Sequence, residues 1–248
     1  MDGNRQFGGK AVLVTGGSRG IGAAIARRFG ALGADVAVVY RSNADEAGKV
    51  VGDLTSAGGR AVAIQADVAK PADVARMVEE ATAFLGRLDI VVNAAGVSPY
   101  LPLGQIDEDH YREIFDVHVL GSIMVTQEAA RVLPEGGRIV HFSSRLATAP
   151  LPRGVVYSAS KAAVSTLVHG FAKELGPKGI TVNAVAPGVI ETDMTEAAIR
   201  ERGEAIVAGT PLGRIGQPDD IVGIVTFLAS DEARWITGRT ILADGGFN

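Results

Sequence analysis

The chain contains no cysteine, which excludes disulfides and thiolate chemistry and is compatible with a reducing compartment. Aromatic residues are scarce, 5% of the total, beside 47% hydrophobic residues and 32 glycines. That balance fits close contacts between elements and tight turns, not a disordered or fibrous chain. An excess of positive charge is also missing: the formal net charge is -4, so there is no electrostatic ground for a nucleic-acid partner, and the pair Arg27-Arg28 reads as a solvated helix face. No apolar run approaches ~18 residues. The first ten residues, MDGNRQFGGK, hold no apolar signal-type segment. The expectation is a soluble, cytoplasmic protein with no membrane association and no metal.

What is present is a regular alternation. Apolar runs of strand type at 11–15, 35–40, 61–65, 90–93, 138–142, 181–186 and 240–243 are separated by helical windows near 21–32, 44–57, 71–86, 108–133, 155–176 and 218–230. Continuous runs such as Val36-Ala37-Val38-Val39 imply strands buried on both faces. Strict alternation implies right-handed crossovers and a doubly wound α/β sheet with helices on both faces. The 248 residues would allow one domain or two, and the absence of any linker favours one domain over 1–248.

The first strand runs into Thr15-Gly16-Gly17-Ser18-Arg19-Gly20-Ile21-Gly22 before a helix begins. Glycines there let backbone approach a pyrophosphate at a helix N-terminus. The spacing, Gly-x-x-x-Gly-x-Gly, differs from the Gly-x-Gly-x-x-Gly fingerprint, and an ordinary tight turn is the alternative. The second strand ends in Tyr40-Arg41-Ser42 with no acidic residue to hold an adenosine ribose. Arg41, with Arg19, could instead pair with a 2′-phosphate, so NADP(H) is expected over NAD(H). Asp67-Val68 and Asn93-Ala94-Ala95-Gly96 close the third and fourth strands, at the ends where such sheets bind ligands.

Tyr157-Ser158-Ala159-Ser160-Lys161 falls in the window 155–176, where small residues such as Ala159, Ala162 and Ala163 would let a helix pack closely. Positions four apart share a helix face, so Tyr157 and Lys161 stand together. At about 5 Å and an effective dielectric of 20, such a pair interacts by roughly 3 kcal/mol. This amounts to about two pKa units, enough to bring a phenol towards the range where a general acid works best. Taken alone, a Tyr-x-x-x-Lys spacing is common by chance.

In this order and at this spacing, TGGSRGIG, NAAG, the serine 13 positions before YSASK, and PGVIETDM resemble the short-chain dehydrogenase/reductase family. The resemblance runs from Gly9 to Phe247 and is strongest to the 3-oxoacyl-carrier-protein reductase and glucose dehydrogenase branches. It implies a single-domain Rossmann fold with a seven-stranded parallel sheet, a nicotinamide cofactor and a homotetramer. It implies that Tyr157 is the proton donor to a ketone, that Lys161 lowers its pKa and holds the nicotinamide ribose, and that Ser144 hydrogen-bonds the substrate oxygen. It places Gly16, Ser18, Arg19, Ile21 and Gly22 along the pyrophosphate and adenosine, and Asp67 and Val68 at the adenine. Asn93, Ala94 and Gly96 fall at the adjacent ribose, and Pro187, Gly188, Ile190 and Thr192 at the nicotinamide. Where the family usually has asparagine, this chain has His118. That histidine either keeps the proton relay, with an imidazole titrating near neutral pH, or packs without a catalytic role.

Substrate selection is expected from 98–103, 146–156 and 191–212, the last helical in pattern over 195–200, with Gly203 and Gly209 beyond it, and expected as a closing lid over about 190–212. The segment Ile241 to Phe247 reads as a final strand leading either into a subunit contact or to a free edge. The function expected is an NADPH-dependent reductase of a ketone or other carbonyl, reversible as an alcohol dehydrogenase. A non-catalytic NADP(H)-binding sensor on the same fold is the alternative. A purely structural oligomerisation module leaves the polar strand ends unexplained.

Overall fold

Residues 5–247 are described by a computed structural model. Its seven strands are β1 (Ala11–Thr15), β2 (Asp35–Tyr40), β3 (Ala61–Gln65), β4 (Ile90–Asn93), β5 (Arg138–Phe142), β6 (Thr181–Pro187) and β7 (Thr240–Ala243). All pair in parallel in one sheet of order β3-β2-β1-β4-β5-β6-β7. They coincide with the apolar runs, except that β6 continues one residue further to Pro187.

The two-residue period of a strand sorts its side chains between two cores. Val12, Val14, Val36, Val38, Val92 and Val140 face one side. They meet α1 (Gly20–Ala31), α2 (Ala44–Ser56) and α8 (Pro218–Ala229) through side chains such as Phe29, Leu54 and Val225. Leu13, Val39, Val91 and Ile139 face the other side. There they meet α3 (Pro71–Leu85), α5 (Gly121–Val132) and α6 (Val155–Leu175) through Met77, Val125 and Val168. Burying one such aliphatic side chain contributes roughly 1.5–3 kcal/mol. Because both faces are covered, β1, β2 and β4 read as nearly unbroken apolar runs, while β5 and β6 each bury one polar side chain within the run, His141 and Asn183.

Within α6 the buried face is Ser158, Ser160, Lys161, Val164, Val168 and Ala172. Ala159 is exposed and Ala162 and Ala163 only half-buried, so close packing here comes from serines and not from those alanines. The window 108–133 is not one helix. It divides into α4 (Glu108–Phe115), a π-helical turn over Asp116–Leu120, and α5. A π turn widens the backbone and disturbs its hydrogen-bond ladder, and here the His118 carbonyl accepts from Ser122 Oγ at 2.6 Å. The segment after β6 carries α7 (Glu196–Ala208), interrupted by non-helical backbone at Arg202. Among the described residues no helix is long and apolar enough to cross a membrane.

At the opposite end of the sheet from the strand carboxyl ends, Asp89 is 3% exposed. Its Oδ2 accepts the Ala11 N–H at 2.9 Å and Arg87 Nε at 2.8 Å, and its Oδ1 accepts Arg87 Nη2 at 2.6 Å. The carboxylate therefore fixes the start of β1 beside the start of β4. Replacing Asp89 with alanine leaves a buried N–H without a partner, at a cost of about 1–3 kcal/mol. Arg87, being half exposed, is a surface partner worth roughly 0–1 kcal/mol. Urea denaturation should therefore show a larger midpoint loss for Asp89→Ala than for Arg87→Ala, with unchanged m-values. Equal losses would rule out this account.

Candidate functional site

The strand order reverses its winding between β1 and β4, and the carboxyl ends of the strands open there into a cleft of about 280 Å³. Its floor is the turn between β1 and α1. Gly16 has φ +64°, and a Cβ there would lie 3.0 Å from the Ala94 carbonyl oxygen. At Gly22 a Cβ would lie 2.2 Å from the Gly16 carbonyl oxygen, so the spacing Gly-x-x-x-Gly-x-Gly is set by contact between the two glycines. The N-terminus of α1 has no side-chain cap and no acidic residue in its first turn. Its unpaired N–H groups and positive dipole end suit a diphosphate. Ser18, Arg19 and Ile21 line the same turn.

Arg41 lies exposed at the end of β2 and lines the cleft with Ser42 and Asn43. Among the described residues it forms no ion pair, whereas Arg19 Nη1 sits 3.4 Å from Asp193. Asp67 and Val68 line the wall above β3, where Asp67 Oδ1 accepts the Ala69 N–H at 3.1 Å. Ala94 and Gly96 line the wall above β4. Pro187, Gly188, Ile190 and Thr192 form the opposite side. Asn93 differs from the expected set: it lies beneath the cleft, 4% exposed. Its Oδ1 accepts from Thr15 Oγ1 at 2.6 Å, and its Nδ2 meets Ser122 Oγ and His141 Nδ1 at 3.3 Å each. Its amide, engaged on both sides, supports the floor of the cleft.

Ser144 after β5, Tyr157 and Lys161 on α6, and His118 in the π turn converge on one end of the cleft. Two bonds staple α6 to β5: Lys161 Nζ donates to the Phe142 carbonyl at 3.0 Å, and Ser143 Oγ donates to the Lys161 carbonyl at 3.0 Å. Ser144 Oγ caps the short turn at Arg145–Ala147 by accepting the Leu146 N–H at 3.2 Å. Tyr157 and Lys161 do share a face, with Nζ 5.7 Å from the phenol ring centroid. The lowered phenol expected from this pair is absent. Burial raises the Tyr157 pKa, with Tyr100 adding to the rise and a hydrogen bond from Ser144 working against it. Burial also pushes the Lys161 ammonium down to about 7. Desolvation is the leading cause at both groups. His118 likewise departs from the expectation of a group titrating near neutrality: burial, then the Lys161 charge, push it down to about 2.

Several lining residues were not singled out from the sequence, among them Ala95, Val97, Ser143, Asp193 and Met194. Ala95 and Val97 had a signal, lying in or next to the Asn93–Gly96 motif. Asp193 and Met194 had one too, closing the PGVIETDM run and lying within 191–212; what had no signal is the pairing of Asp193 with Arg19 across 174 residues. Tyr100, from the loop after β4, stands edge-on to Tyr157 with ring centroids 5.8 Å apart.

Residues 16–248 match the family model described as Enoyl-(Acyl carrier protein) reductase. The chain is 47% identical over 241 residues to an uncharacterised oxidoreductase of Methylorubrum extorquens, covering 96% of this chain and 97% of that one. It is 43% identical to a versicolorin reductase of Emericella nidulans, covering 98% and 97% of the two chains. A crystal structure of a short-chain dehydrogenase from Burkholderia cenocepacia in complex with NADP superposes with TM-score 0.93 at 43% identity, over 98% of this chain and 99% of that one. Matched by the family model over residues 16–248 and by such relatives over nearly their full length, the chain belongs to the short-chain dehydrogenase/reductase family.

Proposed function

We propose that this protein is an NADP(H)-dependent reductase of a ketone or other carbonyl, running in reverse as an alcohol dehydrogenase. The observation that carries the proposal is the convergence of Ser144, Tyr157 and Lys161 at one end of a cleft whose other end is a glycine turn at a helix N-terminus. When bound, the nicotinamide supplies the hydride. Hydride arrival at a carbonyl carbon leaves an alkoxide, and donors aimed at that oxygen stabilise the charge as it develops. Tyr157 suits this task because burial keeps its phenol protonated at neutral pH, ready to give its proton to a far more basic alkoxide. Ser144 holds the same oxygen. Lys161 is assigned to the hydroxyls of the nicotinamide ribose, and Arg41 to a 2′-phosphate. The segment 190–212, with α7 inside it, is assigned as the lid over the substrate.

The NADP complex of the Burkholderia relative and the versicolorin reductase name of the Emericella relative support both the cofactor and the direction of reaction. NADPH oxidation is to be followed with a panel of cyclic and open-chain ketones, β-ketoesters, aldehydes and versicolorin-type substrates. Tyr157→Phe should lower kcat by roughly 100-fold or more while NADPH still quenches intrinsic fluorescence. Turnover that survives this substitution nearly intact would refute the proton assignment.

Cofactor choice gives a second measurement. A charge-assisted hydrogen bond to Arg41 is worth about 1.5–3 kcal/mol, or roughly 10- to 100-fold in kcat/KM. The wild type should favour NADPH over NADH by about this ratio, and Arg41→Asp should abolish or invert it. No preference in the wild type would remove Arg41 from the site.

A further inference from the structure

His118 is 2% exposed, and both of its ring nitrogens are engaged. Val97 donates its backbone N–H to Nε2 at 3.1 Å. Nε2 must therefore present a lone pair, which places the ring hydrogen of a neutral imidazole on Nδ1. Nδ1 lies 2.8 Å from Ser160 Oγ, and Ser160 Oγ donates in turn to the Tyr157 carbonyl at 2.7 Å. The chain of donors runs one way, from Val97 through His118 and Ser160 to the backbone of Tyr157. The ring also stands edge-on to the Tyr157 phenol, with centroids 5.5 Å apart at 83°. Gly96 makes room for it: a Cβ there would sit 3.3 Å from Nε2 and 3.7 Å from Lys161 Nζ.

We infer that His118 is a positioning residue: its ring, with the hydrogen on Nδ1, clamps the loop after β4 at Val97 to the backbone of α6 at Tyr157, through Ser160, and so sets where the phenol stands above the cleft floor. An asparagine in its place is too short to reach both partners. Val97 and Ser160 lie 21 and 42 residues away in the chain, and the imidazole is long enough to join them in one step. The ring serves neither as acid nor as base. Its lone pair is already taken by an amide that does not release its hydrogen, and Lys161, the charge acting on the ring, disfavours a second positive charge beside it. The π turn contributes by presenting His118 towards α6 while its carbonyl is held by Ser122.

The kinetic half of the test rests on the proposed role of Tyr157; the spectroscopic half does not. Nitrogen NMR of the full-length protein labelled at histidine, from pH 5 to 9, should show one imidazole that stays neutral and protonated at Nδ1, assigned by its loss in His118→Gln. An imidazolium, or a ring protonated at Nε2 in that range, would overturn the inference. His118→Gln keeps an acceptor for Val97 but has no donor placed for Ser160, and Ser160→Ala removes the same link from the other side. Each should lower kcat about five- to tenfold, the loss of one hydrogen bond, with KM for NADPH within twofold and the pH profile unchanged in shape. The double variant should be no slower than the single ones, because both cut one connection. Independent, multiplying losses, or a pH profile that loses an ionisation, would refute the clamp. Ser160→Ala deletes a single hydroxyl and carries the kinetic arm if His118→Gln does not fold. A wild type without turnover on any carbonyl would count against the proposed reaction and leave the NMR result standing.

Discussion

The hydrogen bond between Thr15 and Asn93 is the contact on which the site depends. These residues end β1 and β4, the neighbouring strands between which the winding reverses, and both are buried. Thr15 Oγ1 donates to Asn93 and accepts the Ala95 N–H at 3.1 Å. That second bond sets the course of the loop carrying Gly96 and Val97, and so reaches His118. On its other side Asn93 meets His141, whose Nε2 lies 2.9 Å from Thr126 Oγ1 and whose imidazole burial pushes down to about 4. A polar network this deep is tolerated because each member finds a partner. A half-satisfied one would be worse than an apolar core.

Above this network the polar side chains are held by backbone as much as by each other. Lys161 leans on the Phe142 carbonyl, Ser144 on the Leu146 N–H and His118 on the Val97 N–H. Lys161 and His118 are therefore placed by elements other than their own, and Ser144 by the turn that it caps. Such cross-bracing matches what proton transfer needs, since a small misplacement of a reacting group is expensive.

The sequence made the sheet legible because strands buried on both faces must be continuous apolar runs, and Val36 to Val39 or Val91 and Val92 allow little else. The glycine turn was legible because only glycine tolerates the Gly16 backbone and the Gly22 contact. The helix face shared by Tyr157 and Lys161 followed from periodicity alone. What periodicity cannot supply is the environment of that face: burial raises the phenol and lowers the ammonium, the reverse of what the pair does in an exposed setting. The break of 108–133 at the π turn was hidden for a related reason, since its residues carry no helix breaker before Gly121 and the freed carbonyl is satisfied by Ser122. Asn93 was recognisable as a strand-end residue, but the direction of its amide depends on Thr15 and His141, which lie 78 and 48 residues away.

The order β3-β2-β1-β4-β5-β6-β7 divides the sheet into two runs of sequential neighbours, joined within the sheet along the β1 and β4 ladder and outside it by side chains shared between helices of the two runs. The glycine turn and Arg41 belong to the first run, and Ser144, Tyr157 and Lys161 to the second. The cleft is thus a property of the seam, complete in neither part. Ligand binding would stabilise the docked pair over separated halves, so affinity for a dinucleotide doubles as a gauge of how tightly that seam is closed.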